Sequence, residues 1–115
     1  YQSWVFGPSL LDDNGIAKKE FVADGYLYRS HPRTAIGYYE PGHYCLLAVN
    51  GRQAESRGMF LDEMASLFES LGCKAAYNLD GGHSNCMTMY GSVVNHLYDR
   101  EFEIPDGIFI MEGNR

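Results

Sequence analysis

The sequence predicts an α+β domain: a mixed, mainly antiparallel sheet with one clear amphipathic helix. Three observations point there. Two β-rich apolar runs, 33–39 and 43–50, are split by Glu40-Pro41-Gly42, the pattern of a hairpin with a short loop. Residues 61–71 carry helical apolar spacing. Two further short runs, 86–90 and 93–95, are joined by Gly91-Ser92, a second hairpin signal.

Taken in order, residues 1–6 read as a short strand ended by Gly7-Pro8, and Asp13-Asn14-Gly15 is a turn signal. The 33–39 and 43–50 strands follow, and Asn50-Gly51 turns the chain again. In the helix, Leu61, Met64, Ala65, Leu67, Phe68 and Leu71 share one face, with Asp62, Glu63, Ser66, Glu69 and Ser70 on the other. Asp62 and Glu63 suit the positive end of the helix dipole, and Gly72 is the expected C-terminal stop. Residues 74–79 read as a buried strand, so the helix makes a crossover between it and the 44–50 strand, right-handed by the general preference. Residues 107–111 read as a closing strand. Tyr38, Tyr39, Tyr44, Tyr77 and Tyr90 suit sugar stacking but read mainly as core.

At 115 residues the chain is long enough for one domain and a real core. No segment approaches the roughly 20 apolar residues of a membrane span. The chain opens at Tyr1 without a Met, as a processed or excised piece does. A net charge of −6, with Lys and Arg scattered, argues against nucleic acid as a partner. Cys45, Cys73 and Cys86 have no CxxC spacing, so neither a zinc site nor a dithiol motif is expected. Cys45 and Cys86 lie in apolar runs and are expected as small core hydrophobes, with one disulfide and a leftover thiol left open.

The stretch from Tyr77 to Met87 reads YNLDGGHSNCM and is crowded beyond the needs of a surface turn. Asp80 ends a strand that follows a helix, a usual place for a site. Gly81 and Gly82 allow close backbone approach to a ligand, and successive N–H groups in such a turn can cup an anion. Ser84 and Asn85 add neutral donors and acceptors, and His83 can titrate near neutral pH. A DGG turn whose Asp caps its own backbone is the competing account. Arg33 and Arg100 could serve as anion ligands, though by local sequence alone each reads first as a surface arginine. His31, His43 and His96 receive no role.

The ordered set Arg33-Thr34-Ala35-Ile36-Gly37, Val49-Asn50-Gly51-Arg52, Gly58, Leu71-Gly72, Asn78-Leu79-Asp80-Gly81-Gly82 with Ser84, Val94-Asn95 and Arg100 resembles the phosphodiester glycosidase family. Phe6-Gly7-Pro8-Ser9-Leu10 also looks like the family's segment ahead of its central part. The likeness covers nearly the whole chain. It implies hydrolysis of a sugar joined through its anomeric carbon to a phosphodiester, on exported or cell-surface glycans. It also implies an extracellular or cell-envelope location and a link to exopolysaccharide.

On that resemblance Asp80 is the candidate acid/base, with Ser84 and His83 beside it as catalytic candidates. Arg33, Asn78, Gly81, Gly82 and Arg100 are the candidate substrate-binding residues, Gly81-Gly82 and Arg33 supplying the phosphate cradle. The implied partner is a glycan or sugar phosphate, with no cofactor and no assigned metal. An alternative puts a divalent cation such as calcium on the oxygens of Asp80, Asn78, Ser84 and Asn85.

Two departures stand out. The family usually has DGGGS, where this chain has His83 in the third glycine's place; if that glycine needs a positive φ, His83 is strained. The family's N-terminal segment with its NGGFF-like motif is absent from this sequence. The chain is therefore expected to be the C-terminal part of a larger domain. A partial sheet leaves an unpaired edge, so self-association or pairing with the missing segment is expected. Both departures favour the alternative function, a non-catalytic carbohydrate-binding module of the envelope.

Overall fold

The computed structural model describes residues 7–23, 25–97, 103–104 and 107–113. The expected strand at 1–6 and the candidate ligand Arg100 lie outside the described residues. The elements are β1 (Arg33–Glu40), β2 (His43–Val49), α1 (Leu61–Ser70), β3 (Ala75–Asn78), a 3-10 turn (Gly82–Ser84), β4 (Thr88–Met89) and β5 (Ser92–Val93). They make an α+β arrangement with sheet order β2-β1-β3 and a separate β4-β5 ribbon.

β1 pairs antiparallel with both neighbours, Ala35 opposite Leu47 on one side and opposite Asn78 on the other. β2 and β3 therefore run parallel to each other with β1 between them, and α1 is the crossover that joins them. Beside β3, Leu10 N–H donates to Ala76 O (2.9 Å) and Asn78 N–H to Pro8 O (3.1 Å). This segment folds back at the expected turn, where Asp12 Oδ1 accepts from Asn14 N–H (2.8 Å) and Ile16 N–H (3.0 Å).

The core lies between α1 and the face of the sheet that carries Ala35, Gly37 and Ala76. Leu61, Met64, Ala65 and Phe68 are buried there, as the helical spacing requires. Phe68 lies directly on Gly37: a Cβ at that glycine would meet the ring and Cys73 Sγ at 2.8 Å. The helix starts with Glu63 reaching back to accept from Phe60 N–H (2.9 Å) while it pairs with Arg57 (2.8 Å). It ends in a Schellman arrangement, Cys73 N–H to Phe68 O (3.1 Å) and Gly72 N–H to Glu69 O (3.0 Å).

Several expectations need correction. Leu71 is exposed, because the helix ends one residue before it and the Schellman turn leaves it outside the buried stripe. The second hairpin turns at Tyr90-Gly91, where both φ values are positive (50° and 79°), the type I′ geometry that suits strand twist. Residues 107–111 form no strand; Phe109, Ile110 and Met111 stand exposed, with no strand paired to them among the described residues. Cys86 is exposed and Cys45 half-buried, while Cys73 is the buried thiol, and all three are free. Of the tyrosines read mainly as core, Tyr44 and Tyr90 are exposed and Tyr38, Tyr39 and Tyr77 half-buried. The sheet face away from α1, with Tyr38 and Tyr44 in ring contact at 5.7 Å, is not the buried one.

Candidate active site

The site is built around a backbone spine, His31-Pro32-Arg33, that leads into β1. Three glycines press on it. A Cβ at Gly51 would lie 2.5 Å from Pro32 N, one at Gly58 2.2 Å from His31 O, and one at Gly81 2.4 Å from Pro32 O. No side chain fits at those distances, so only glycine lets the 51–58 loop and the 79–85 loop close on the spine. His31 and Met59 exchange backbone hydrogen bonds (3.3 and 3.0 Å), and Gly82 N–H donates to Pro32 O (3.0 Å).

This packing gives two arginines different tasks. Arg33 is 2 % exposed. Its Nε donates to Met59 O (2.9 Å), and its Nη2 to Leu27 O (2.7 Å) and Arg29 O (2.6 Å). It ties three loop carbonyls to the start of β1, and burial, with Arg52 nearby, lowers its pKa. Arg52 is set on a backbone with φ of 53° and extends along Gly82. Its Nη2 donates to Tyr26 Oη (2.8 Å) and lies 2.9 Å from His31 Nδ1. His31 Nε2 is 2.7 Å from Tyr26 O. Burial first, then the charges of Arg33, Arg52 and Arg29, hold the His31 pKa below its ordinary value of 6.5, although the Tyr26 carbonyl acts the other way.

Arg52, His31 and Tyr26 line a cavity of about 860 Å³ together with Asp80, His83 and Ser84. Asp80 and Ser84 also border a second cavity of about 280 Å³, walled by Leu46, Met87 and Phe109. The two residues thus stand between a larger cavity of mixed lining and a smaller, more apolar one. The loop that carries them is held from below by Asn85, 1 % exposed, whose Nδ2 donates to Val49 O (2.8 Å) and whose Oδ1 accepts from Thr34 Oγ1 (3.0 Å).

Of the residues singled out in the sequence, Asp80, Gly81, Gly82, His83, Ser84 and Arg33 all line the larger cavity. Asn78 does not: it is buried in β3 with Nδ2 donating to Gly7 O (2.9 Å) and Oδ1 without a hydrogen-bond partner among the described residues. The expected cradle is altered in detail. The Gly82 N–H and the Nε and Nη2 of Arg33 already serve protein carbonyls, and the guanidinium that lies beside Gly82 is that of Arg52. His83 is exposed and lies in the 3-10 turn without a positive φ, so the anticipated strain is absent. The four-oxygen cation set is not assembled, since Asn78 is away from the cavity and the Asn85 amide is committed at both ends. Sequence reasoning gave His31 no role and did not single out Tyr26. The signal for them was Gly58, a glycine that no turn explained, and Gly51, whose turn reading hid its packing on Pro32.

The phosphodiester glycosidase family profile matches residues 1–111. The chain is 35 % identical over 97 residues to the SPbeta prophage-derived protein YomE of Bacillus subtilis, covering 84 % of this chain and 15 % of that protein. It is 39 % identical over 67 residues to the bovine N-acetylglucosamine-1-phosphodiester alpha-N-acetylglucosaminidase, covering 58 % of this chain and 12 % of the enzyme. Among solved structures, a hypothetical protein from Synechocystis superposes with a TM-score of 0.65 at 26 % identity, over 79 % of this chain and 17 % of the other. The catalytic domain of the zebrafish N-acetylglucosamine-1-phosphodiester alpha-N-acetylglucosaminidase superposes with a TM-score of 0.56 at 32 % identity, over 64 % of this chain and 24 % of that one. This chain therefore spans less than a quarter of each of these relatives, and it belongs to the phosphodiester glycosidase family.

Proposed function

We propose that the chain carries the hydrolytic site for sugar-1-phosphodiester linkages on exported or cell-surface glycans. The observation that carries this is one cavity lined by both a carboxylate, Asp80, just past the end of β3, and a guanidinium, Arg52. Family membership supports the reaction class. In the reaction, water adds to the anomeric carbon and the C1–O bond breaks. The phosphomonoester departs with the electron pair of that bond. A phosphomonoester already leaves readily, so the protein's larger task is to hold the departing charge and to raise the nucleophilicity of water. Arg52 suits the first task by its planar, always-charged fork. Asp80 suits the second, as the base that takes the proton from water and as a negative charge facing the developing oxocarbenium ion. Ser84, which lines the same cavity, would orient a sugar or phosphate oxygen.

The test is turnover of a panel of sugar-1-phosphodiesters by the full protein and by Asp80→Asn. Free sugar from the full protein, with a fall of roughly 100-fold or more in the variant, is the expected result. Equal release by both removes Asp80 from the mechanism. No release from any member of the panel, with glycan binding intact, replaces hydrolysis by a carbohydrate-binding module.

A further inference from the structure

His31 makes two hydrogen bonds whose partners fix its protonation. The Tyr26 carbonyl, 2.7 Å from Nε2, can only accept, so Nε2 carries a hydrogen. The Arg52 guanidinium, 2.9 Å from Nδ1, can only donate, so Nδ1 must offer a lone pair. The ring is the neutral Nε2–H tautomer, assigned from its partners. Tyr26 also lies against the ring face, with centroids 4.6 Å apart. Among the described residues, the charges acting on His31 are those of Arg33, Arg52 and Arg29, the Tyr26 phenol lies against its ring, and Lys18, Glu20, Asp80 and His83 line the same cavity. A proton on Nδ1 would set N–H against N–H at the Arg52 contact and add a fourth positive charge.

We propose that neutral His31 is the positioning residue that holds the Arg52 guanidinium beside Gly82, and that Arg52 so held is the ligand for the phosphate of a diester substrate. This rests on the phosphodiester reading above. The backbone of Arg52 is anchored because Gly51 is packed on Pro32, and the side chain is anchored because Tyr26 Oη and His31 Nδ1 both hold Nη2. His31 itself is 6 % exposed with both ring nitrogens engaged, so it acts through Arg52 and does not touch the substrate. Because His31 holds Arg52 only as a neutral ring, phosphate affinity should weaken in acid.

The experiment measures the affinity of the full protein for dimethyl phosphate by titration calorimetry across about pH 8 to 5, the interval in which histidine titrates. The probe's single charge does not change there, so any trend belongs to the protein. Arg52→Gln should weaken binding by roughly tenfold or more. His31→Leu should weaken it by a smaller factor and leave it independent of pH. His31→Asn keeps an acceptor for Arg52 but cannot be protonated; it should restore affinity and abolish the acid weakening. If His31→Leu does not fold, His31→Asn decides alone. Unchanged binding in Arg52→Gln, an acid limb that survives in His31→Asn, or binding that tightens in acid would each overturn the proposal. Probe binding without sugar release leaves this inference standing and removes hydrolysis. Sugar release unaffected by Arg52→Gln does the reverse.

Discussion

The helix–sheet core and the wall of the cavity are assembled by opposite means. In the core, Phe68, Met64, Leu61 and Leu10 fill space between one helix and one sheet, and the driving force is apolar area removed from water. At the cavity wall the contacts are backbone against backbone at Gly51, Gly58 and Gly81, and arginine N–H against carbonyl oxygen. The first arrangement tolerates adjustment, since many small contacts share the load. The second has few contacts, each set by a short distance. The core should therefore determine how stable the protein is, and the wall whether the site is in register.

Phe68→Ala breaks the comparison most forcefully. The ring is fully buried and packed on Gly37, so its loss should lower the unfolding free energy by about 3–5 kcal/mol, read from urea denaturation. Under conditions where the variant remains folded, dimethyl phosphate affinity should stay within about twofold, because additivity holds for sites without shared partners. Affinity that falls in a folded Phe68→Ala would show that the two regions are one.

Gly51→Ala addresses the other side. The added Cβ would sit 2.5 Å from Pro32 N and 2.9 Å from Gly58 Cα, both backbone atoms, so the loop must lift. The stability cost should be smaller than for Phe68→Ala, about 1–3 kcal/mol, as for overpacking elsewhere. Phosphate affinity should fall about as far as in Arg52→Gln, because Arg52 moves with the loop. A variant that loses stability but keeps its affinity would sever the link drawn between the glycine contact and the placement of Arg52.

The same contrast explains what could be read in advance. The helix, the 33–49 hairpin and the turn at 12–16 follow from local pattern: periodicity of 3.6 or 2, and turn residues between them. The β4–β5 turn was misplaced by one residue because Tyr90 takes a positive φ that its residue type does not announce. The apolar run at 107–111 looked like a strand because sequence gives composition and not a pairing partner. At the site, the chemical richness of 80–85 was visible, since Asp80, the glycines and Ser84 are adjacent in the chain. Arg33, expected in the phosphate cradle, does line the cavity, but its Nε and Nη2 are committed to loop carbonyls. Nothing local announces that an arginine will spend its donors on the Leu27, Arg29 and Met59 carbonyls. His31 was given no role and Tyr26 was not singled out for the same reason: their contacts with Arg52 exist only after segments 20 residues or more apart are brought together by glycine.

The smallest expected effect separates the two regions by pH. Glu63, at the start of α1, has its pKa held below the ordinary 4.5 by its hydrogen bond to Arg57 and then by the Phe60 N–H. A carboxylate depressed in the native state binds fewer protons than its unfolded counterpart, so its contribution is present above about pH 4.5 and is lost as pH falls through the native value. The pair is solvated, with side-chain exposures of 59 % for Arg57 and 37 % for Glu63, so screening keeps it small. His31 is depressed too, but it is a base: the native state prefers the neutral ring, and a penalty sets in as pH falls below 6.5. Glu63→Gln should lower Tm at pH 7 by roughly 2 °C or less, with the difference from the parent vanishing in acid below the carboxylate range. His31→Asn should remove the part of the acid loss that begins at the higher pH and leave the Glu63 part in place. Two steps, each erased by its own variant, would show that the helix end and the cavity wall titrate independently. A single step erased by either variant would mean that the helix N-terminus and the Arg52 anchor are coupled through Arg57 and Met59, which are adjacent to Gly58 in the chain.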